Sequence, residues 1–258
     1  MPAYYHSLAP FRELFRTGVP VLTYHKLGPR PSRAQLKGLY VSEQLFARQL
    51  AELSRAGFRA PPLANALLAE AAWQPRIGIT FDDGFCNAPR HGLEPLARHQ
   101  FRAIEFLVAD KLGGSNEWEQ REGEAHEPLM GVAEVREWLA AGHEIGSHSL
   151  THPYLTRLPR AQAREEIAAS RKKLQDLFGR SVEHFCYPYG DWNETVRDLV
   201  QEVGYKTACT TEFGINTAET PPLALKRITA RYPSRNLKAI WSRLSARMRQ
   251  RWGKPPMA

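Results

Sequence analysis

The chain has 258 residues, 43% of them apolar and 24% charged, with a formal net charge of +8. That length accommodates one large α/β domain or two small ones, and it buries a core without covalent staples. Three cysteines, Cys86, Cys186 and Cys209, give no paired spacing, which argues against a disulfide framework and favours a reducing compartment.

In chain order, residues 19–25 (Val-Pro-Val-Leu-Thr-Tyr-His) read as a strand entered through a proline. Ser42 is placed to cap a helix whose Leu45, Phe46, Gln49, Leu50 and Leu53 share one face, with Gly57 as its stop. A shorter helix over 63–72 precedes a strand over 76–81, followed by a helix near 92–99 and a strand over 103–108. Next come a helix over 132–141, a strand over 143–147 and a long helix over 160–178 ending at Gly179. A strand over 182–187, a helix over 194–203, and strands over 205–210 and 223–229 complete the series. Repeated β-then-α order with near-continuous apolar strands predicts a parallel sheet covered by helices. About seven such units suit a barrel better than an open sheet. No internal repeat or low-complexity linker divides the chain. The reading is an N-terminal extension (1–18), one barrel domain (19–232) and a C-terminal tail (233–258).

The tail is dense in Lys and Arg, and Leu237, Ile240, Trp241, Leu244, Met248 and Trp252 recur at helical spacing. This is the pattern of a basic amphipathic helix. It fits a terminal helix packed on the domain, or one that docks peripherally on anionic lipid. No nucleic-acid motif accompanies the charge, so no nucleic-acid partner is expected. The N-terminus lacks the pattern of a secretory signal and no run is long and apolar enough to span a membrane, so the expected location is cytoplasmic, with possible contact at the inner membrane face.

Three polar motifs fall at predicted strand ends: Thr80-Phe81-Asp82-Asp83-Gly84, His148-Ser149-Leu150-Thr151-His152 and Tyr187-Pro188-Tyr189-Gly190. In α/β barrels, side chains at C-terminal strand ends converge on one mouth. One carboxylate and two imidazoles hold a divalent metal while leaving coordination positions open, and a second carboxylate is then free to act as base. Each motif alone has a plainer explanation: an Asp-Asp-Gly turn, a surface histidine pair, a tight turn. Their joint arrival at strand ends favours a catalytic constellation. The polar stretch 110–128, with Gly113, Gly114, Asn116 and Trp118, reads as a long loop able to fold over a substrate.

Taken together and in this order, the three motifs resemble those of the polysaccharide deacetylases, carbohydrate esterase family 4, over roughly residues 19–229. The resemblance implies a distorted (β/α) barrel and metal-dependent removal of acetyl groups from N-acetylated sugars. It implies Asp83, His148 and His152 as metal ligands, Asp82 as general base, and the backbone N–H of Tyr189 as an oxyanion donor. The metal is one divalent ion, with zinc the first expectation and Co, Ni, Mn or Fe also suited to the donor set. Trp118, Tyr187 and Trp192 are candidates for contact with the sugar.

Two residues depart from the family pattern. Cys186 stands where many members carry an arginine that orients the catalytic aspartate, so Asp82 is expected to lack its cation. The stretch Leu223-Ala224-Leu225-Lys226-Arg227 matches a Leu-x-Leu-x-His motif except for its histidine, which usually protonates the leaving amine. His25, ending the first strand, is the replacement candidate. The stretch Val-Pro-Val-Leu-Thr-Tyr-His-Lys-Leu-Gly resembles circularly permuted poly-N-acetylglucosamine deacetylases, which carry this histidine strand at the N-terminus. A core histidine that only satisfies hydrogen bonds is the plainer alternative. The alternative activities are another non-peptide C–N bond or an O-acetyl ester as substrate, or a degenerate barrel that binds glycan or lipid.

Overall fold

A computed structural model describes residues 2–67 and 75–231. The strands are β1 (Val21–Tyr24), β2 (Lys26–Leu27), β3 (Tyr40–Val41), β4 (Gly78–Asp83), β5 (Ile104–Leu107), β6 (Glu144–Ser147), β7 (His184–Cys186), β8 (Thr207–Phe213) and β9 (Leu225–Thr229). The α-helices are α1 (Glu43–Arg55), α2 (Leu63–Leu67), α3 (Asn87–Arg98), α4 (Val132–Ala140), α5 (Arg160–Phe178) and α6 (Glu194–Val203). Seven strands close a barrel in the order β1-β4-β5-β6-β7-β8-β9, all parallel, with β9 returning to β1 through Leu22 and Ile228. The seven-unit barrel expected from the β-then-α order is therefore the fold. The basic helix expected over 233–258 and the end of the 63–72 helix lie outside the described residues.

Strand alternation sorts the core into two apolar clusters. Val21, Ile104, Phe106, Cys186, Cys209 and Leu225 form one, with Leu63 of α2 packed among them. Leu22, Tyr24, Ile79, Phe81 and Phe185 belong to the larger cluster shared with the helices. Ser42 caps α1 by accepting from the Leu45 N–H at 3.2 Å, and the apolar stripe read from the sequence, with Gln49, is buried. Gly146 of β6 is a packing necessity: a Cβ there would lie 2.5 Å from the Phe106 ring and 2.9 Å from the His184 carbonyl oxygen. Only a hydrogen lets Phe106 occupy the barrel interior beside it.

The first residues pack onto the barrel. Tyr5, Leu8, Phe11 and Phe15 are buried in the main cluster, and Tyr5 bridges to Ala230 beside β9. A small parallel ribbon, β2 with β3, was not anticipated; it carries the chain straight from β1 into the loops above the barrel mouth. Among the described residues no helix is long and apolar enough to cross a membrane.

Candidate active site

One cavity of about 250 Å³ opens at the C-terminal ends of the strands, lined by His25, Asp82, Asp83, Trp118, Glu119, His148, His152, Tyr187 and Tyr189, among others. Adjacent residues of a strand normally face opposite sides, which would separate Asp82 from Asp83. Asp83 escapes that alternation because its φ of 80° ends β4 in a left-handed bend, so that both carboxylates reach the cavity. Ser149 (φ 66°), His152 (φ 68°) and Tyr189 (φ 59°) adopt the same region. Four of the five such non-glycine residues described are in these three motifs, and each conformation costs about 1–3 kcal/mol. The strain is concentrated where side chains must be aimed.

Surrounding bonds hold that strain. The His152 N–H donates to Ser149 Oγ at 3.0 Å, closing the turn after β6. Glu166 of α5 accepts from the N–H groups of Leu150 and Thr151, each at 2.9 Å, and from the Thr151 hydroxyl at 2.6 Å. Tyr189 stacks on Tyr154 at 3.9 Å between centroids and meets the His152 ring edge-on at 4.5 Å.

Asp83 Oδ1 lies 3.4 Å from His148 Nε2 and 3.3 Å from His152 Nε2. Two metal–ligand bonds of about 2.1 Å at the tetrahedral angle leave their donor atoms about 3.4 Å apart, so the spacing fits a shared ion. His148 Nδ1 is 2.8 Å from the Cys186 carbonyl oxygen. A carbonyl only accepts, so Nδ1 carries the proton and Nε2 is left with its lone pair toward the cluster. Burial pushes the Asp83 carboxyl up, but the two imidazoles more than reverse this and hold it well below the ordinary carboxylate range. The triad therefore fits one divalent cation.

Asp82 is held differently. Arg227 of β9 donates from Nη1 to Oδ1 at 2.7 Å and from Nη2 to Oδ2 at 2.8 Å, a two-pronged buried pair. Arg227 also donates to Thr80 Oγ1 at 3.0 Å and, from Nε, to the Thr210 carbonyl at 2.8 Å. The expectation that Asp82 lacks a cation is thus corrected: the charge missing at Cys186 comes from across the barrel. Burial alone raises the Asp82 carboxyl, and Arg227 brings it back below its ordinary value. Gly78 and Thr80 leave no open space beside this pair: a Cβ on Gly78 would meet Leu63 at 3.0 Å and Val21 at 3.1 Å, and Thr80 is bonded to Arg227. Cys186 is buried within 3.1 Å of Arg227 Nη2 and 3.7 Å of Asp82 Oδ2, and burial pushes its thiol up to about 11, so it is a neutral neighbour.

His25 faces the cavity with Nε2 3.8 Å from Asp82 Oδ2, outside the donor triad. Trp118 also lines the cavity and stacks on His152 at 4.6 Å. The two other aromatic candidates for sugar contact are placed differently. The Tyr187 hydroxyl donates to the Leu223 carbonyl at 2.9 Å, so Tyr187 walls the cavity with its ring alone. Trp192 is not among the cavity-lining residues; it stacks on Tyr187 at 5.9 Å and packs against the core.

The sequence model of the family described as polysaccharide deacetylase matches residues 70–208, more than half of the chain and the span holding all three motifs. The chain belongs to the polysaccharide deacetylase family. As a polysaccharide deacetylase it is a hydrolase. A putative polysaccharide deacetylase of Bacillus subtilis is 24% identical over 81% of this chain and 70% of its own length. A chitooligosaccharide deacetylase of Azorhizobium caulinodans is 33% identical over 52% of this chain and 57% of its own. A peptidoglycan-N-acetylglucosamine deacetylase of Listeria monocytogenes is 28% identical over 51% of this chain, which spans a quarter of that longer protein. Among solved structures, IcaB from Ammonifex degensii superposes with a TM-score of 0.71 at 21% identity, covering 89% of this chain and 96% of that one. The Streptococcus pyogenes deacetylase PplD gives 0.71 at 21%, covering 87% and 97%. At these identities the structural likeness establishes the shared barrel fold.

Proposed function

We propose that this polysaccharide deacetylase removes the acetyl group of an N-acetylated sugar by metal-dependent hydrolysis. The observation that carries this reading is the pairing, in one cavity, of a His-His-Asp donor set with a second carboxylate held ionised by its own arginine. An amide resists water, so its hydrolysis needs an activated nucleophile, a stabilised oxyanion and a proton for the departing amine. Asp83, His148 and His152 would hold a divalent ion, which when bound would supply the positive charge that polarises the acetyl carbonyl and acidifies water.

Everything else falls to side chains and backbone. Asp82 accepts a proton from the attacking water as the new C–O bond forms, and Arg227 keeps that carboxylate charged and aimed. The backbone N–H of Tyr189, in its left-handed turn, is the proposed donor to the carbonyl oxygen as charge develops; one such donor is worth roughly 3 kcal/mol in other enzymes. The C–N bond then breaks and His25 gives a proton to the sugar nitrogen, leaving acetate and a free amine. Trp118 offers an apolar wall for the ring. Acetate release from N-acetyl sugars, compared between the wild type and Asp82→Asn, tests this reading. Release at the wild-type rate from the variant contradicts the role of Asp82, and release from O-acetyl esters alone replaces the amide with an ester as substrate.

A further inference from the structure

One charged group in the cavity wall has no part in the steps above. Glu119, in the short helical turn Glu117–Glu122, lines the cavity beside Trp118. Its Oε2 accepts from Lys26 Nζ at 2.6 Å and from Asn116 Nδ2 at 2.5 Å. Lys26 is wholly buried, with its ammonium 4.6 Å from the Phe85 ring centroid and 5.0 Å from that of Tyr40. Asn116 is itself fixed, donating to the Ala125 carbonyl at 3.0 Å and accepting from the Glu127 N–H at 2.8 Å. Both donors sit on one oxygen. Among the described residues Oε1 has no partner, while the carboxylate belongs to the cavity wall.

Pinning a loop does not require this arrangement. A buried ion pair is no more stabilising than apolar residues of similar volume, because both ions must first be dehydrated. The loop has other ties: Ser115 bridges to Pro128, Phe85 to Leu129, and the Tyr40 hydroxyl donates to Glu127 at 2.9 Å. What an apolar substitute lacks is a fixed acceptor on a cavity-lining residue. Lys26 already balances the carboxylate's charge, so the complementary ligand group is a neutral donor.

We propose that Glu119 is a specificity-determining residue whose Oε1 accepts a hydrogen bond from a hydroxyl of the sugar ring, with Lys26 and Asn116 as positioning residues. The inference rests on the proposed sugar substrate and names how that sugar is selected. A hydrogen bond to a carboxylate of this kind is worth about 10- to 100-fold in affinity.

The test is calorimetric titration of the full chain with N-acetylglucosamine and with mono-deoxy analogues each lacking one ring hydroxyl, for wild type and Glu119→Gln. Glutamine keeps an oxygen for Lys26 and Asn116 while turning the other terminal atom into a donor. The expected result is binding about 10- to 100-fold weaker in Glu119→Gln, with metal content unchanged. One deoxy analogue should show the same loss with the wild type and no further loss with the variant. A uniform loss across all analogues marks a purely structural pair and overturns the proposal. So does unchanged binding, or a wild type that binds every deoxy analogue as well as the parent, a result that needs no variant to fold. Calorimetry reads binding without turnover, so sugar binding with no acetate release counts against the hydrolytic reading and leaves the Glu119 result legible.

Discussion

Replacing Arg227 by methionine removes the cation that holds Asp82 while keeping an apolar side chain of similar length. Five hydrogen bonds are lost, two of them charge-assisted contacts of 2.7 and 2.8 Å to a carboxylate that is 4% exposed. Removing one partner of such a pair leaves a buried charge uncompensated, which destabilises by about 3–5 kcal/mol. Asp82 answers by binding a proton: without Arg227 the burial that raises its carboxyl is unopposed by its strongest partner, so its pKa moves up. The carboxylate is the form that acts as base, so activity falls as pH drops through that pKa. In the wild type this limb lies below the ordinary Asp value of 3.8, and in Arg227→Met it moves to higher pH. The loss in kcat expected from a misaimed base is about 10²- to 10⁴-fold. The stability difference carries the same sign. The depressed pKa stabilises the fold above 3.8 and that contribution disappears in acid, so urea denaturation midpoints of the two proteins should converge as pH falls. The assays are acetate release against pH at saturating metal, and denaturation of Arg227→Met beside the Asp82→Asn/Arg227→Met double variant, which should regain much of the lost stability. An acid limb that stays in place, with kcat within a few-fold of wild type, refutes the coupling of Arg227 to Asp82.

Three further outcomes follow from the same geometry. His25→Ala should lose about 10²-fold or more in kcat while metal content, read by elemental analysis, is unchanged; loss of metal together with activity makes His25 a ligand, and wild-type turnover removes both roles. Saturating zinc at about 100 times its Kd should stabilise the protein by roughly 2.7 kcal/mol in thermal scans. That gain should be absent in Asp83→Ala and His152→Ala and should shrink on acidification, as protons displace the metal from the imidazoles. Gly146→Ala should destabilise by about 1–3 kcal/mol in urea without altering metal affinity, because its methyl group meets the Phe106 ring; an unchanged midpoint would show that β5 and β6 separate freely.

The parts legible in the sequence were those with local signatures. Strand and helix periodicity yielded the seven-strand barrel, since each βα unit carries its own pattern and its own stop, as at Gly179 after α5. The Asp83, His148 and His152 cluster was legible because all three sit at strand ends, which the fold brings to one mouth. What escaped was long-range pairing. Arg227 is 145 residues from Asp82, and in the sequence it reads only as the end of an imperfect motif. The signal was present: Leu225 and Arg227 share a strand face by alternation, and an inward arginine needs a buried anion. The Lys26–Glu119 pair joins residues 93 apart, from the two-residue β2 to a short helical turn, both too brief to show a periodicity. Tyr187, which lines the cavity, and Trp192, which does not, look alike in sequence, because an aromatic residue near a site motif gives no sign of whether it faces the cavity or the core. Phe11 and Phe15 sit in short 3₁₀ turns that lack an amphipathic repeat, and Tyr5 in an isolated bridge to Ala230, so their burial has no periodic signature.

The central claim is that one cavity joins a divalent metal on Asp83, His148 and His152 to a separate base, Asp82, for hydrolysis of a sugar N-acetyl group. Its most direct test is acetate release by the full chain from a panel of soluble and lipid-linked N-acetyl sugars, with and without chelator and with Asp82→Asn. The account predicts release from at least one sugar that chelator abolishes, that divalent metal restores, and that Asp82→Asn loses with its metal still bound. Release that persists through both chelation and the Asp82→Asn substitution would contradict it.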